Sequence, residues 1–300
     1  MIAILGATGN TGKVIAQQLL AAGRQVRVIG RDPSRLEPLV KSGAQAVVAN
    51  VTDGAALARA FTGAKAVYVM IPPSVAAADV RALQEQVSNA AAAAIEEARV
   101  EYAVLLSSIG ADKAERTGPV IGLHNFEQKL NSIRTLKALY VRAGYFMENL
   151  LAQVGVIKGF GILGGPVSPG LPLPLIATRD IGAFAAQALL RLDFSGKQAR
   201  EILGQRNVTY NEVATIVGNA IGRPGLAYAQ LPPEQLKPAL MQMGMSASMA
   251  DLLLEMAEAL NSGYMTALEP RTAANTTPTS IEQFVAEEFV PLYNAKGAGA

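Results

Sequence analysis

The chain has 300 residues, of which 50% are hydrophobic and 17% charged, and its formal net charge is +2. That is enough for one large or two modest folded units with an ample core, and too apolar for disorder. Cysteine is absent and His124 is the single histidine, which excludes disulfides, thiolate metal sites, cysteine nucleophiles and multi-histidine metal centres.

No basic block accompanies the small net charge, so nucleic acid is not expected as a partner. No apolar run reaches the roughly 18 residues of a membrane span, and the first apolar run is shorter than a signal-peptide core. The expectation is a cytoplasmic protein with no membrane segment and no metal.

Met1 to Leu5 is an apolar run too short for anything but a buried strand. Gly6, Gly9 and Gly12 follow, and then Val14, Ile15, Leu19 and Ala22 recur at helical spacing up to Gly23, where a C′ glycine would sit. Strand, glycine turn and helix in that order is the context of a dinucleotide-binding loop. Gly6 permits a tight turn with positive φ. Gly9 lets the backbone approach a pyrophosphate, and Gly12 lets helix and strand pack closely. Free N–H groups and the positive dipole end at the helix start face the phosphates. The candidate loop therefore comprises Gly6, Thr8, Gly9, Asn10, Thr11 and Gly12. A tight turn without a ligand does not explain three glycines in seven residues.

The second strand is Gln25 to Ile29, followed by Gly30 and Arg31. Asp32 and Pro33 start a helix as N-cap and N1, with Leu36, Leu39 and Val40 as its inward stripe and Gly43 at its end. An acidic residue at the end of this strand would accept from a ribose 2′-hydroxyl. Arg31 stands there instead, with Arg35 one turn on, and two cations suit a 2′-phosphate. The expected cofactor is NADP(H) in preference to NAD(H). Solvated arginines with no ligand are the plainer alternative.

Ala44 to Ala49 reads as a third strand, and Asp53 as the cap of a helix ending at Phe61. Ala66 to Ile71 reads as a fourth, stopped by Pro72 and Pro73. Strand carboxyl ends line the crevice in such folds, so Asn50, Val51, Met70, Ile71 and Pro72 are candidate adenine and ribose walls. An alanine-rich helix is expected from Ala76 to Arg99, a strand from Val104 to Leu106, a helix from Gly122 to Ile133 and a strand from Leu139 to Val141. Alternation of strands and helices predicts an α/β fold with a doubly wound, Rossmann-type parallel sheet.

Residues 155–174 are rich in glycine and proline and read as loops or short strands overhanging the crevice. Asp180 opens a helix through Leu192, Glu201 to Gly204 is a late strand, and Thr209 with Glu212 makes a capping box for a helix ending near Gly222. A helical stretch is expected from Pro233 to Leu260. It carries Met241, Met243, Met245, Met249 and Met256, as lobe core or as a pliable apolar lid. The expected division is a dinucleotide-binding domain over 1–150 with returns near 176–206, a smaller, mostly helical lobe over 151–175 and 207–293, and a frayed tail over 294–300.

With these stretches in view, the chain resembles the NmrA-like group of atypical short-chain dehydrogenases. The likeness rests on GATGNTGK, Arg31, LLSSIGA at 105–111, VRAGYFMENL at 141–150, ATRDIGAFAAQAL at 177–189 and PTSIEQFV at 278–285. It implies a Rossmann domain with a C-terminal lobe and NADP(H) between them. The group includes NADPH-dependent quinone reductases, isoflavone-type and ether reductases, and regulators that sense the nicotinamide pool. Asn50 stands where that group often has aspartate, which weakens the adenine contact but not the pyrophosphate one.

Ordinary members of the wider superfamily use Tyr-x-x-x-Lys, in which lysine lowers the tyrosine pKa. None of the eight tyrosines here has lysine four residues on. The matching place after Ser107 and Ser108 holds His124, with Gln128 in the lysine slot. His124 is the candidate catalytic residue, since histidine can act as acid or donor near neutral pH. A packing role is its alternative. Ser107 and Ser108 are candidate cofactor or substrate binders, because no G-x-S-x-G elbow surrounds them.

Reducing an isolated carbonyl needs a donor aimed at its oxygen. A quinone needs less, because the hydroquinone anion is delocalised and can take its proton from solvent. The missing pair therefore favours a flat, apolar small molecule such as a quinone, with Tyr145 and Phe146 as a ring-binding surface. The alternative is a non-catalytic NADP(H) sensor with a protein partner. A homodimer stays open.

Overall fold

The computed structural model describes residues 1–295. In chain order the first half gives β1 (Ile2–Leu5), α1 (Asn10–Ala21), β2 (Val26–Gly30), α2 (Pro33–Lys41), β3 (Gln45–Val48), α3 (Gly54–Phe61), β4 (Ala66–Val69), α4 (Val80–Glu97), β5 (Tyr102–Ser108), α5 (Ile121–Ser132) and β6 (Lys137–Ala143). The second half gives β7 (Tyr145–Phe146), α6 (Gln153–Phe160), β8 (Leu163–Gly165), β9 (Leu173–Ile176), α7 (Thr178–Arg191), β10 (Lys197–Ile202), β11 (Asn207–Val208), α8 (Tyr210–Ala220) and β12 (Tyr228–Gln230). Helices α9 (Pro233–Gln242), α10 (Ala247–Asn261), α11 (Ile281–Phe284) and α12 (Val290–Asn294) complete it.

Seven strands form one sheet in the order β10-β6-β5-β4-β1-β2-β3. Every pairing in it is parallel. β1 and β4 are buried at every residue, as strands covered on both faces must be. One face packs Ile2 and Ile4 against Ile15 and Leu19 of α1, Leu36 of α2 and Ile181 of α7. The other packs Ala3 and Leu5 against Leu57 of α3, Ile95 of α4 and Phe126 of α5. The chain leaves β1 towards β2 and β3, then crosses to β4 on the other side. The switch point between β1 and β4 opens a crevice at their carboxyl ends.

A third apolar cluster forms the C-terminal lobe, from Met147, Leu173, Val213, Leu260, Phe284 and Phe289 among others. Helix α7 joins the two bodies. Gly182 makes its close approach to α1 feasible, since a Cβ there would stand 2.8 Å from Val14 Cβ and 2.9 Å from the Thr11 carbonyl. Thr279 ties the lobe to α7, its N–H and hydroxyl donating to the Asp180 carboxylate at 3.0 and 2.8 Å.

Several sequence expectations move. The alanine-rich helix starts at Val80, not Ala76, because Asp79 caps it by accepting from Ala82 N–H at 2.9 Å. β5 and β6 are longer than the apolar runs that mark them, since their polar ends still pair. β4 stops at Val69, and the late strand ends at Ile202, before Gly204 turns with φ +70°. Helix α7 starts at Thr178, leaving Asp180 in its first turn. Val40 is 43% exposed, so only Leu36 and Leu39 face inward on α2.

Residues 155–160, read as loop or short strand, form most of α6, which Gly161 stops at φ +76°. The stretch Pro233 to Leu260 is two helices. Gly244 (φ +89°) breaks it, and Ser246 caps α10 through Met249 N–H at 3.1 Å. Met249 is buried there, whereas Met241 and Met243 are exposed, so the methionines are not one core. Asn294 closes α12, and the rest of the expected tail, 296–300, lies outside the described residues. The capping box of Thr209 and Glu212 is present in both directions.

Candidate functional site

The glycine loop leaves β1 at the switch point. Gly6 has φ +69°, which a side chain rarely tolerates, and its Cβ would lie 3.1 Å from Met70 Sδ. At Gly12 a Cβ would collide with the Gly6 carbonyl and stand 2.9 Å from Ala7 Cα. Gly9 differs: its Cβ would meet only the Gly6 carbonyl, at 3.3 Å. The protein thus leaves one side of Gly9 open. Gly9 is also the N-cap of α1 and offers no side chain to its first N–H groups. An uncapped helix start behind an open glycine cradle fits a pyrophosphate, which would accept from those N–H groups.

Thr8 and Asn10 lie on the accessible rim. Thr11 turns inward, its hydroxyl 2.8 Å from the buried Tyr68 hydroxyl, so only its backbone N–H is left to face a ligand. Met70, Ile71 and Pro72 are half-buried at the end of β4, with Met70 against the glycine turn.

Arg31 is exposed at the end of β2 and has no hydrogen bond or ion pair among the described residues. Asp32 beside it is occupied as a cap, accepting from Ser34 N–H at 2.9 Å and Ser34 Oγ at 2.7 Å. Arg35 reaches back to the glycine loop, Nη2 donating to the Thr8 carbonyl at 3.2 Å. One guanidinium is therefore anchored at the loop and a second stands free beside it. Asn50 spends its Oδ1 locally, accepting from Thr52 N–H at 3.2 Å and Thr52 Oγ1 at 3.1 Å. Only its amide NH2 remains to meet adenine.

At the β5 end the two serines part. Ser107 is 1% exposed and donates to Glu127 Oε1 at 2.6 Å. Its hydroxyl is turned into the protein and away from the cofactor role expected of it. Ser108 is half-buried at the edge, its hydroxyl donating to the Ile109 carbonyl at 2.9 Å. His124, on the first turn of α5, is half-buried, and its Nδ1 lies 2.9 Å from the Ala111 carbonyl. Its ring is thus held against the loop that follows Ser108.

Tyr145 and Phe146 do not form one surface. They are successive residues of β7 and point to opposite faces. Phe146 packs on the sheet cluster and Tyr145 on the lobe cluster. In that lobe cluster the ring of Tyr210 stacks on Tyr228 with centroids 4.5 Å apart. Burial raises the pKa of the Tyr145 and Tyr210 hydroxyls, as it does for Tyr68, Tyr140 and Tyr228. A catalytic tyrosine needs the opposite shift.

Sequence reading missed Glu127 and Arg142. Arg142 grips the Glu127 carboxylate with Nε at 3.0 Å and Nη2 at 2.6 Å, and Glu127 is 2% exposed. The signal available was an arginine directly after the apolar run Ala138–Val141, which when buried must find an acid.

Sheet order, glycine cradle and the two cations beside it together define a dinucleotide-binding protein of Rossmann type. The chain matches the NmrA-like family over residues 1–296, and it belongs to that family. It is 30% identical over 260 residues to an NAD(P)H azoreductase of Xenophilus azovorans, covering 85% of this chain and 86% of that one. Its fold resembles an NADPH-dependent quinone oxidoreductase of Escherichia coli complexed with NADPH, with a TM-score of 0.80, 23% identity, and 96% and 100% of the two chains covered. It also resembles the Citrobacter sp. triphenylmethane reductase complexed with NADP(H), with a TM-score of 0.74, 18% identity and 95% of each chain covered.

No described helix is long and apolar enough to cross a membrane, and no three acidic or histidine side chains among the described residues could hold a metal ion.

Proposed function

We propose that the protein is an NADPH-dependent reductase of quinones or related flat electrophiles. The observation that carries this reading is an intact coenzyme cradle beside a site with no Tyr-x-x-x-Lys pair. The azoreductase and the quinone and dye reductases with which it shares family or fold support it.

The coenzyme, when bound, supplies a hydride. Gly6 to Gly12 would hold its pyrophosphate, and Arg31 with Arg35 would hold the 2′-phosphate. Met70 to Pro72 wall the adenosine side. The C-terminal lobe would stand over the reacting end while leaving it open to solvent. The reduced acceptor carries one negative charge more than it did, and it gains one proton to reach the neutral product. Solvent delivers that proton, and His124 orients the acceptor. The division into 1–150 with returns near 176–206, against 151–175 and 207–293, is proposed from the separate apolar clusters of sheet and lobe.

The test is a panel of acceptors with NADPH. Quinones should be turned over and simple aliphatic ketones should not, since nothing here protonates an isolated carbonyl oxygen. Comparable rates with ketones would overturn the reading. His124→Phe keeps bulk and removes both nitrogens. General acid loss would cost about 10²–10⁴ in turnover. The expected loss is under about tenfold and lies mainly in acceptor KM, because Gln128 cannot tune the ring as lysine tunes tyrosine.

A further inference from the structure

The coenzyme cradle makes no use of Glu127, yet this carboxylate is among the most firmly held groups in the fold. Its Oε1 accepts from Ser107 Oγ at 2.6 Å and Arg142 Nε at 3.0 Å, and its Oε2 accepts from Arg142 Nη2 at 2.6 Å. Ser107 and Arg142 are register partners on β5 and β6. A carboxylate on α5 thus grips two strand ends at once. Tyr140 repeats the tie one turn further along α5, donating to Asn131 Oδ1 at 2.7 Å.

Stability alone is a poor reason for such a pair. Well-packed apolar residues of the same volume are often at least as stable as a buried ion pair. The grip does fix the setting of α5 against the sheet. His124 is three residues before Glu127, on the neighbouring part of the same helix surface. Its Nδ1 faces the Ala111 carbonyl at 2.9 Å. A carbonyl only accepts, so Nδ1 carries the proton, and Nε2 is the ring atom left over. Ala111 itself is tied to the same strand end, its N–H donating to the Ser108 carbonyl at 3.1 Å.

We propose that Glu127 is a positioning residue for His124. By gripping Ser107 and Arg142 it sets α5 so that Ala111 holds the ring by Nδ1–H and Nε2 faces the acceptor, to whose oxygen it donates when the ring is protonated. The use of Nε2 rests on the reductase reading; the tautomer does not.

His124 is the single histidine, so nitrogen NMR of labelled protein reads one ring. At a pH where the imidazole is neutral, the wild type should show the Nδ1–H tautomer alone. Glu127→Gln keeps the shape and loses the charge, and should mix the tautomers. Arg142→Lys keeps the cation but loses the two-point grip, and serves if the first variant does not fold. Both should raise quinone KM about two- to tenfold and leave NADPH affinity unchanged, and neither should add to His124→Phe. An Nε2–H ring in the wild type overturns the proposal. So do variants with the wild-type tautomer and KM, or effects additive with His124→Phe. Tautomers that behave as stated in a protein that reduces no quinone would leave the positioning intact and remove the reductase reading.

Discussion

Gly9→Val is expected to raise the NADPH dissociation constant about a hundredfold while the circular dichroism spectrum and melting temperature stay close to wild type. The backbone at Gly9 is extended, with φ −83° and ψ 173°, which valine adopts readily. Its Cβ would meet only the Gly6 carbonyl, at 3.3 Å, a tight contact that a loop shift of a few tenths of an ångström relieves. The ligand has no such relief, because the branch projects into the one open side of the cradle. Overpacking of this kind costs about 1–3 kcal/mol, and each 1.4 kcal/mol is about tenfold in affinity. Gly12→Val would not be informative, since its branch collides with the loop itself. Fluorescence titration with NADPH checks the result. Unchanged affinity in a folded Gly9→Val protein would remove the loop from the coenzyme site.

Arg31→Ala carries the second large effect. A charge-assisted bidentate contact contributes about 1.5–3 kcal/mol, or roughly 10- to 150-fold. Arg31 is exposed, so solvent screening puts the expected loss towards the lower end. Arg35 stays anchored on the Thr8 carbonyl and retains part of the phosphate contact. NADPH should therefore weaken about tenfold and NADH hardly at all. Parallel titrations with both coenzymes check this. Equal losses, or a wild type that prefers NADH, would contradict the assignment of Arg31.

These two residues were legible because their signals are local. A glycine turn after a four-residue strand, and the residue ending the next strand, are set by chain neighbours within one βαβ unit. The caps at Asp32, Asp53 and Thr209 are legible for the same reason. What was illegible depends on partners far apart in the chain. Ser107 reads as a crevice serine until Glu127, twenty residues on, takes its hydroxyl. Tyr145 and Phe146 read as a platform until β9 pairs with β7 and sends the rings to opposite sides. Helix α9 reads as continuous with α10 because one glycine in a methionine-rich run is a weak stop signal, and only the Ser246 cap makes it one.

A stoichiometric reaction separates turnover from coenzyme storage. NADPH in large excess over the protein is mixed anaerobically with menadione, and coenzyme loss and hydroquinone formation are followed together. The reductase account predicts many turnovers, one hydroquinone per NADPH consumed, and a rate that saturates in quinone. Tight NADPH binding with consumption no faster than in protein-free solution, across the quinone panel, would contradict it and leave a nucleotide-sensing protein in its place.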